Sequence, residues 1–244
     1  MFSRHSSGNQ SKYIKNGYLY KEDTSSCEGA AEYAATRLLE NSNLKEFVEY
    51  ELYSKGCRSK IVYPDWKQIT LFSLIKNDYT RLVKMSVIDR YSEVLKIVSD
   101  TINYDASDYF SQIIQFDYSI INQDRHFRNI IFLKHDSIIK PFPVFDNGDS
   151  FLLRSLGNNL SIEFQLENAK SKPFGTSYEK QLYCARQFSD FSLNLRCLLQ
   201  ESVYSELDKY YKEYVIDRIK NVIKIHTSKF CNQPIAEQTN LFGS

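Results

Sequence analysis

The sequence predicts an α+β fold of two lobes, with a small β-rich lobe over residues 1–67 and a mainly helical lobe over residues 68–244. Three observations indicate this division. A strand–turn–strand pattern and one amphipathic helix open the chain. Apolar residues then recur at helical spacing through most of the second part. A segment of strands and loops interrupts the helices over residues 119–153, where the two lobes are expected to meet.

The composition limits the classes of protein to which this chain could belong. Hydrophobic residues make up 42% and charged residues 25% of the 244 residues, as in an ordinary globular protein. The net charge of +1 argues against a DNA-binding regulator and predicts no direct contact with nucleic acid. We interpret the five scattered cysteines as inert free thiols in a reducing cytosol. The chain shows no signal peptide and no apolar run as long as a membrane span, which favours a cytoplasmic protein, with secretion without a signal peptide left open.

The elements of the first lobe follow from local signals. SKYIKNGYLYKED predicts a hairpin, because Asn16-Gly17 is a strong two-residue turn signal between strand-forming residues. TSSCEGAAEYAATRLLENSN predicts a helix, with Ser25 and Glu28 as a capping box. The apolar stripe of that helix comprises Ala31, Ala35, Leu38 and Leu39. EFVEYELYS and SKIVYPDW, separated by a Lys-Gly pair, predict two more strands.

In the second lobe the spacing predicts helices over residues 68–76, 86–99 and 107–118, the last capped by Asp105 or Ser107. YSII is predicted to be a strand, and NIIFLKHDSIIKPFPVF a hairpin. Residues 154–178 are predicted to form a long polar loop. Residues 179–228 are predicted to be helical, with one apolar face made of Leu207, Tyr211, Val215, Ile219 and Val222.

Two polar stretches, NQDRHFRN and FDNGDS, carry the candidate chemistry. Asp124 and Asn129 are five residues apart, and Asp146 follows after one hairpin. Phosphoryl transfer needs this set: one aspartate accepts the proton of the attacking hydroxyl, and an asparagine and a second aspartate bind a divalent metal. The interval equals that of the protein-kinase loop H-R-D-x₄-N, and Asp-Asn-Gly stands where kinases have D-F-G. Each stretch alone reads equally as a turn.

Further residues fit the same site. Lys21, at the end of the strand YLYK, is the candidate lysine for the phosphates, and Glu32 its helix partner, because a carboxylate on the apolar side needs a buried partner. Gly8 lies in a small polar loop that could approach phosphates or be an unstructured terminus. His126 is interpreted as a structural hydrogen-bonding residue. Arg125 and Arg128 either steady phosphate or only solvate their loop.

NQDRHFRN followed by PFPVFDNGDS resembles the HipA-like serine/threonine kinase family, with its N-x-D-x-H-x-x-N loop, short hairpin and metal-binding aspartate. GNQSK resembles the phosphate loop of that family, G-x-Q-x-K. The chain begins almost at this loop, which favours the short, stand-alone members of the CtkA type. The similarity covers about residues 6 to 225.

The resemblance implies a protein-kinase-like two-lobed fold, with ATP and Mg²⁺ as cofactors. It makes the segment 122–129 the catalytic loop, with Asp124 as catalytic aspartate, and the segment 145–150 the metal-binding turn. Asn129 and Asp146 become metal ligands. The implied phosphate-binding residues are Gly8, Asn9, Gln10, Lys12 and Lys21, with Glu32 pairing to Lys21. Ser6 and Ser7 become candidates for autophosphorylation by their position ahead of the loop.

The implied activity is transfer of the ATP γ-phosphate to a serine or threonine of a protein substrate, in a toxin-like enzyme. An antitoxin or another regulatory partner is left open. Two alternatives stay open as well. One is a small-molecule or lipid kinase with the same constellation, and the other is a non-catalytic nucleotide-binding interaction module. The complete acidic set argues against the second.

Overall fold

The computed structural model describes residues 11–23, 27–195 and 199–226. Its first part carries an antiparallel sheet with the strand order β1-β2-β4-β3. The strands are β1 (Ser11–Lys15), β2 (Tyr18–Glu22), β3 (Glu51–Tyr53) and β4 (Gly56–Lys60). The predicted hairpin is confirmed: Asn16 and Gly17 have φ values of 51° and 77°, the left-handed conformations that a two-residue turn between twisted strands requires. β3 is shorter than the strand predicted from EFVEYELYS. The strand predicted from SKIVYPDW was placed too late, because β4 begins at Gly56 and ends at Lys60.

The predicted helix is α1 (Glu28–Glu40), and its predicted apolar stripe is buried. The capping box is wrong, because Cys27 is the N-cap and Glu28 the first helical residue; Ser25 lies outside the described residues. The Asp23 carboxylate instead accepts a hydrogen bond from the Gly29 N–H at 2.9 Å. A Cβ on Gly29 would lie 2.8 Å from the carbonyl carbon of Gly56, so glycine lets α1 approach β4 closely.

The second part opens on β5 (Lys67–Thr70), α2 (Leu71–Ile75), α3 (Tyr79–Leu82), α4 (Val87–Ile102) and α5 (Ser107–Ile120). The helix predicted over 68–76 is wrong in its first three residues, since β5 pairs with a later strand and the Thr70 side chain caps α2. Neither predicted residue is the N-cap of α5, because that position is Ala106; the Asp105 carboxylate accepts from the Ser107 N–H at 2.9 Å from one residue further out. YSII is not a strand, because α5 continues to Ile120. The lobe boundary after residue 67 stays a prediction.

The predicted second hairpin is confirmed as β6 (Ile131–His135) and β7 (Ile138–Pro141), which extend β5 into a three-stranded antiparallel sheet. After β7 the chain contacts the first lobe. The N–H of Val48 donates to the carbonyl of Val144, and the N–H of Val144 donates to the carbonyl of Glu46, both at 2.9 Å. This exchange fixes the chain two residues before Asp146 against the first lobe.

The region predicted to be a long loop, 154–178, is partly ordered into short elements. A 3₁₀ turn (Leu153–Ser155) precedes α6 (Ile162–Asn168), β8 (Lys170–Ser171) and β9 (Thr176–Ser177). Ser161 and Ser177 cap the helices that follow them, which explains why a polar sequence can still start helices. The later helices are α7 (Tyr178–Phe188), α8 (Glu201–Asp208) and α9 (Glu213–Ile225). The predicted helical stretch is therefore interrupted between these helices.

Two apolar clusters hold the described residues together. The larger one joins α1 to α4, α5, α7 and α9, and it includes Leu207, Val215, Ile219 and Val222 of the predicted face. The smaller one joins the first sheet to the β6–β7 hairpin through Val48, Tyr50, Cys57, Ile131, Leu133 and Phe142. Of the cysteines, Cys27, Cys57 and Cys184 are free thiols, and the other two lie outside the described residues. No described helix has both the length and the apolarity needed to cross a membrane.

Candidate active site

A buried ion cluster joins the two lobes at the predicted site. Lys21 on β2 is 2% exposed and Glu32 on α1 is fully buried. The Lys21 ammonium contacts a Glu32 carboxylate oxygen directly and lies 2.7 Å from Oδ1 of Asp146. Buried charges are stable only when paired, so these three side chains fix each other's positions.

Each charge in this cluster shifts the pKa of the others. Burial acts to raise the pKa of Asp146, but the positive charges of Lys21 and Lys12 lower it well below its ordinary value. Burial opposes the charged form of Lys21, yet Asp146 and Glu32 raise its pKa overall. Burial raises the pKa of Glu32, although Lys21 opposes this. Asp146 is therefore ionised at neutral pH and carries negative charge at the mouth of the cluster.

Asp146 also contacts Asn129. The Asn129 side-chain amide donates to Oδ2 of Asp146 at 2.5 Å. Asp146 has a φ of 58°, a conformation that is strained for a residue with a Cβ and typical of functional turns. The turn is held from the first lobe, because the N–H of Asn147 donates to Oε2 of Glu32 at 2.9 Å.

The donor set at Asp146 and Asn129 fits Mg²⁺. A carboxylate and an amide supply hard oxygen ligands, which this ion prefers while keeping waters or phosphate oxygens as further ligands. Within the described ranges, no three histidine, cysteine or acidic residues group closely enough to hold a metal alone. Asp146 and Asn129 together would leave most coordination positions of such an ion to waters or phosphate oxygens.

Asp124 lies on the loop after α5, with its side chain 32% exposed. Its N–H donates to Oδ1 of Asn122 at 3.1 Å, and the Tyr178 hydroxyl donates to the Asn122 carbonyl at 2.7 Å. Both bonds fix the start of the loop, at Asn122. The Asp124 carboxylate contacts the Lys172 ammonium. No local pattern could predict this partner, since 48 residues separate the two.

Arg125 is buried, so both of its predicted roles, steadying phosphate and solvating the loop, are wrong. Its side chain is fully buried and makes two hydrogen bonds to the Asp117 carboxylate, at 2.9 and 3.0 Å. It also donates to Oδ1 of Asn147 at 2.7 Å and contacts the Phe145 carbonyl. One arginine thus ties α5 and the Asp124 loop to the Asp146 turn. An aspartate inside the apolar stretch of α5 was the available sequence signal.

The other loop residues have simpler positions. His126 belongs to the loop's backbone hydrogen bonds: its N–H donates to the Asp124 carbonyl at 2.7 Å, and its carbonyl accepts from the Asn129 N–H at 2.8 Å. Its ring Nδ1 is buried without a hydrogen-bond partner among the described residues. Arg128 is exposed, with its guanidinium carbon 4.5 Å from the centre of the Phe72 ring.

Asp149 is a neighbour that sequence reasoning missed. Its side chain is 9% exposed and lies 3.2 Å from the Arg154 guanidinium. Burial raises the pKa of Asp149 to about 6; the Arg154 charge opposes the shift, and the Asp124 and Glu28 charges add to it. A carboxylate that titrates near neutrality therefore lies behind the Asp124 loop.

The N-terminal candidates divide into two groups. Lys12 lies opposite Lys21 where β1 pairs with β2, and its positive charge helps to lower the pKa of Asp146. Ser6, Ser7, Gly8, Asn9 and Gln10 lie outside the described residues, and their predicted roles stay predictions. The structure thus brings together Lys12, Lys21, Glu32, Asn129 and Asp146, with Asp124 on the adjoining loop.

Comparison with known proteins identifies the fold. A Helicobacter pylori proinflammatory kinase, CtkA, superposes with a TM-score of 0.57 at 16% identity, over 92% of this chain and 89% of that chain. A Shewanella oneidensis HipA, solved with HipB and operator DNA, has a TM-score of 0.49 at 11% identity, over 97% of this chain and 61% of that chain. No family model and no curated protein matches the sequence. The chain has the two-lobed, protein-kinase-like fold that the sequence predicted.

Proposed function

We propose that the protein is an ATP-dependent phosphotransferase that moves the γ-phosphoryl group of ATP to a serine or threonine hydroxyl of a protein substrate. The observation that carries this proposal is the convergence of Lys21, Asn129 and Asp146 in one site. These residues come from separate parts of the chain, and each supplies a group that phosphoryl transfer requires. The fold shared with the Helicobacter kinase supports the same reading.

The residues of the site have distinct roles in this proposal. Lys21 and Lys12 neutralise phosphate oxygens, and Glu32 orients Lys21 through the buried ion pair. Asp146 and Asn129 would hold Mg²⁺, which supplies neutralisation of the charge on the phosphate oxygens. Because the Asp146 turn is bonded to Glu32 and Arg125 holds the following asparagine, the site is organised before nucleotide binds.

Asp124 acts on the acceptor. The acceptor hydroxyl oxygen forms a bond to the γ-phosphorus while the bond from that phosphorus to the β–γ bridging oxygen breaks, and ADP leaves with the bond electrons. The hydroxyl proton passes to the Asp124 carboxylate. Asp124 suits this step because its backbone is fixed by Asn122 while its carboxylate, which contacts Lys172, is partly exposed.

The test is phosphate transfer from radiolabelled Mg-ATP to a degenerate peptide mixture containing serine and threonine, with intact-mass spectrometry of the protein itself. Asp124→Asn should lower the transfer rate by about 10²–10⁴-fold, the usual contribution of a positioned base. Asp146→Asn should abolish transfer and the rise in melting temperature with Mg-ATP. Asp136→Asn is the matched control, because its side chain is 88% exposed in the β6–β7 turn. Full activity of Asp124→Asn would refute the role of Asp124, and no nucleotide binding by wild type would refute the function.

A further inference from the structure

A groove of about 360 Å³ lies beside the Asp124 loop and is not used by the nucleotide site. Its walls come from α2, α3, α4, the catalytic loop and the β8–β9 turn. We call it the α3 groove, defined by the apolar side chains Phe72, Tyr79, Val83, Phe127 and Phe174. Tyr79 and Val83 are 43% and 44% exposed at its rim.

Arg90 stabilises the wall of this groove by hydrogen bonds to backbone carbonyls. Its guanidinium donates to the carbonyls of Leu82, Val83, Met85 and Phe174 at 2.7 to 3.1 Å. These bonds join the end of α3 to the β8–β9 turn. The groove is therefore a fixed feature of the fold, and Arg90 has its donors engaged by the protein itself.

The other charged residues that line the α3 groove, besides Arg90, are also positive. Arg128 and Lys172 line it together with His126, and none of its lining residues is acidic. Arg128 is exposed, lies on the Phe72 ring and has no carboxylate partner in the described part of the chain. Lys172 contacts the Asp124 carboxylate at the end of the groove nearest the site. An apolar cleft in which Arg128 has no carboxylate partner among the described residues and lies beside the Lys172–Asp124 ion pair is complementary to an apolar and acidic ligand.

We propose that the α3 groove binds an acidic segment of the protein substrate, with one apolar side chain in the groove and one carboxylate at Arg128 and Lys172. The proposal rests on the proposed function and specifies its acceptor. Aromatic and arginine side chains dominate the groove, as they do at the centres of protein interfaces. Tyr79 and Val83 at the rim are each more than two fifths exposed, and a bound substrate chain would bury these apolar side chains.

Substrate binding would also release Asp124. The Lys172 ammonium contacts the Asp124 carboxylate, so this ion pair must open before Asp124 can reach the acceptor hydroxyl. A substrate carboxylate in the α3 groove offers Lys172 a second anion. Lys172 can then shift towards the substrate while Asp124 turns to the acceptor hydroxyl. Recognition of the acidic segment and activation of the base thus use the same lysine.

The experiment is positional scanning with synthetic peptides that contain one serine. In each peptide set a single flanking position is fixed as Glu, Lys, Leu or Ala, and kcat/KM is measured with Mg-ATP. We expect one flanking position to prefer Glu over Lys by about fivefold, the size of one exposed ion pair. A nearby position should prefer Leu over Ala. Raising the salt concentration should reduce the Glu preference and leave the Leu preference, because only the first is screened.

Three variants locate the preference in the groove. Arg128→Glu should invert the Glu-over-Lys preference, and Val83→Asp should remove the Leu preference. Lys84→Glu is the matched control, since this exposed neighbour makes the same change of charge outside the groove and should keep both preferences. Melting temperatures with Mg-ATP show that each variant is folded.

The outcomes separate the two proposals. Equal transfer to all wild-type peptide sets, or an unchanged preference in both groove variants, overturns the groove and leaves the kinase function standing. Transfer to none of the peptides, despite Mg-ATP binding, overturns the protein acceptor and the groove together.

Discussion

The Asp117→Asn substitution is expected to lower the free energy of unfolding strongly, although residue 117 touches no substrate. Asp117 and Arg125 form an ion pair whose side chains are 2% and 0% exposed. Asparagine keeps the shape of the side chain but removes the charge that compensates the Arg125 guanidinium. It also replaces one accepting oxygen by an amide that cannot accept a hydrogen bond from the arginine.

The size of the effect follows from this burial. Removing one partner of a buried ion pair costs about 3–5 kcal/mol, because the other charge stays buried without compensation. With a denaturant slope of about 3 kcal/mol per M urea, this shifts the unfolding midpoint by about 1 M or more. Because Arg125 also holds Asn147 at 2.7 Å, we expect weaker Mg-ATP binding as well.

Urea unfolding followed by circular dichroism measures the change. The matched control is Glu51→Gln, which neutralises one member of the ion pair with Arg58, whose side chains are 50% and 37% exposed. This control should cost less than about 1 kcal/mol, as exposed pairs do. A loss for Asp117→Asn that is no larger than the control's would refute the view that this pair anchors the catalytic loop.

Four other substitutions test the site and its supports. Lys21→Met should lower the unfolding free energy by about 3–5 kcal/mol and abolish Mg-ATP binding. Adding Glu32→Gln should restore part of that stability but not the binding, and recovery of binding would contradict the phosphate role of the lysine. Burial raises the pKa of Asp149 to about 6, above its unfolded value of 3.8, so the folded protein binds this proton more tightly than the unfolded chain. The resulting stabilisation is complete below about pH 4 and is lost as the pH rises to about 6. Urea titrations should show this loss, about 3 kcal/mol, in wild type and not in Asp149→Asn. Gly29→Ala should cost about 1–3 kcal/mol by overpacking, since its Cβ would lie 2.8 Å from Gly56; the small gain usual for glycine-to-alanine changes in helices would contradict that contact.

The elements that carry the candidate site were predicted from local patterns in the sequence. The Asn16-Gly17 turn, the apolar spacing of α1 and α5, and the hairpin between Asn129 and Asp146 all depend on residues close together in the chain. The choice of Glu32 rested on a similar argument, that a carboxylate on an apolar face needs a buried partner, and the structure places it against Lys21. The incorrect predictions were also local. The first three residues of the helix predicted over 68–76 belong to β5, because pairing with β6 outweighed their helical spacing.

The tertiary structure decided which polar residues face solvent, substrate or core. Arg125 and Arg128 are three residues apart and look alike in sequence, yet one is buried against Asp117 and the other lies exposed beside the α3 groove. Lys172 reaches Asp124 across 48 residues. Such contacts depend on how distant elements pack, and side-chain periodicity carries no information about that. The sequence by itself predicted which residues would belong to a phosphoryl-transfer site. Only the packing of the two lobes determined which of them meet, because burial and charge pairing are properties of the folded chain.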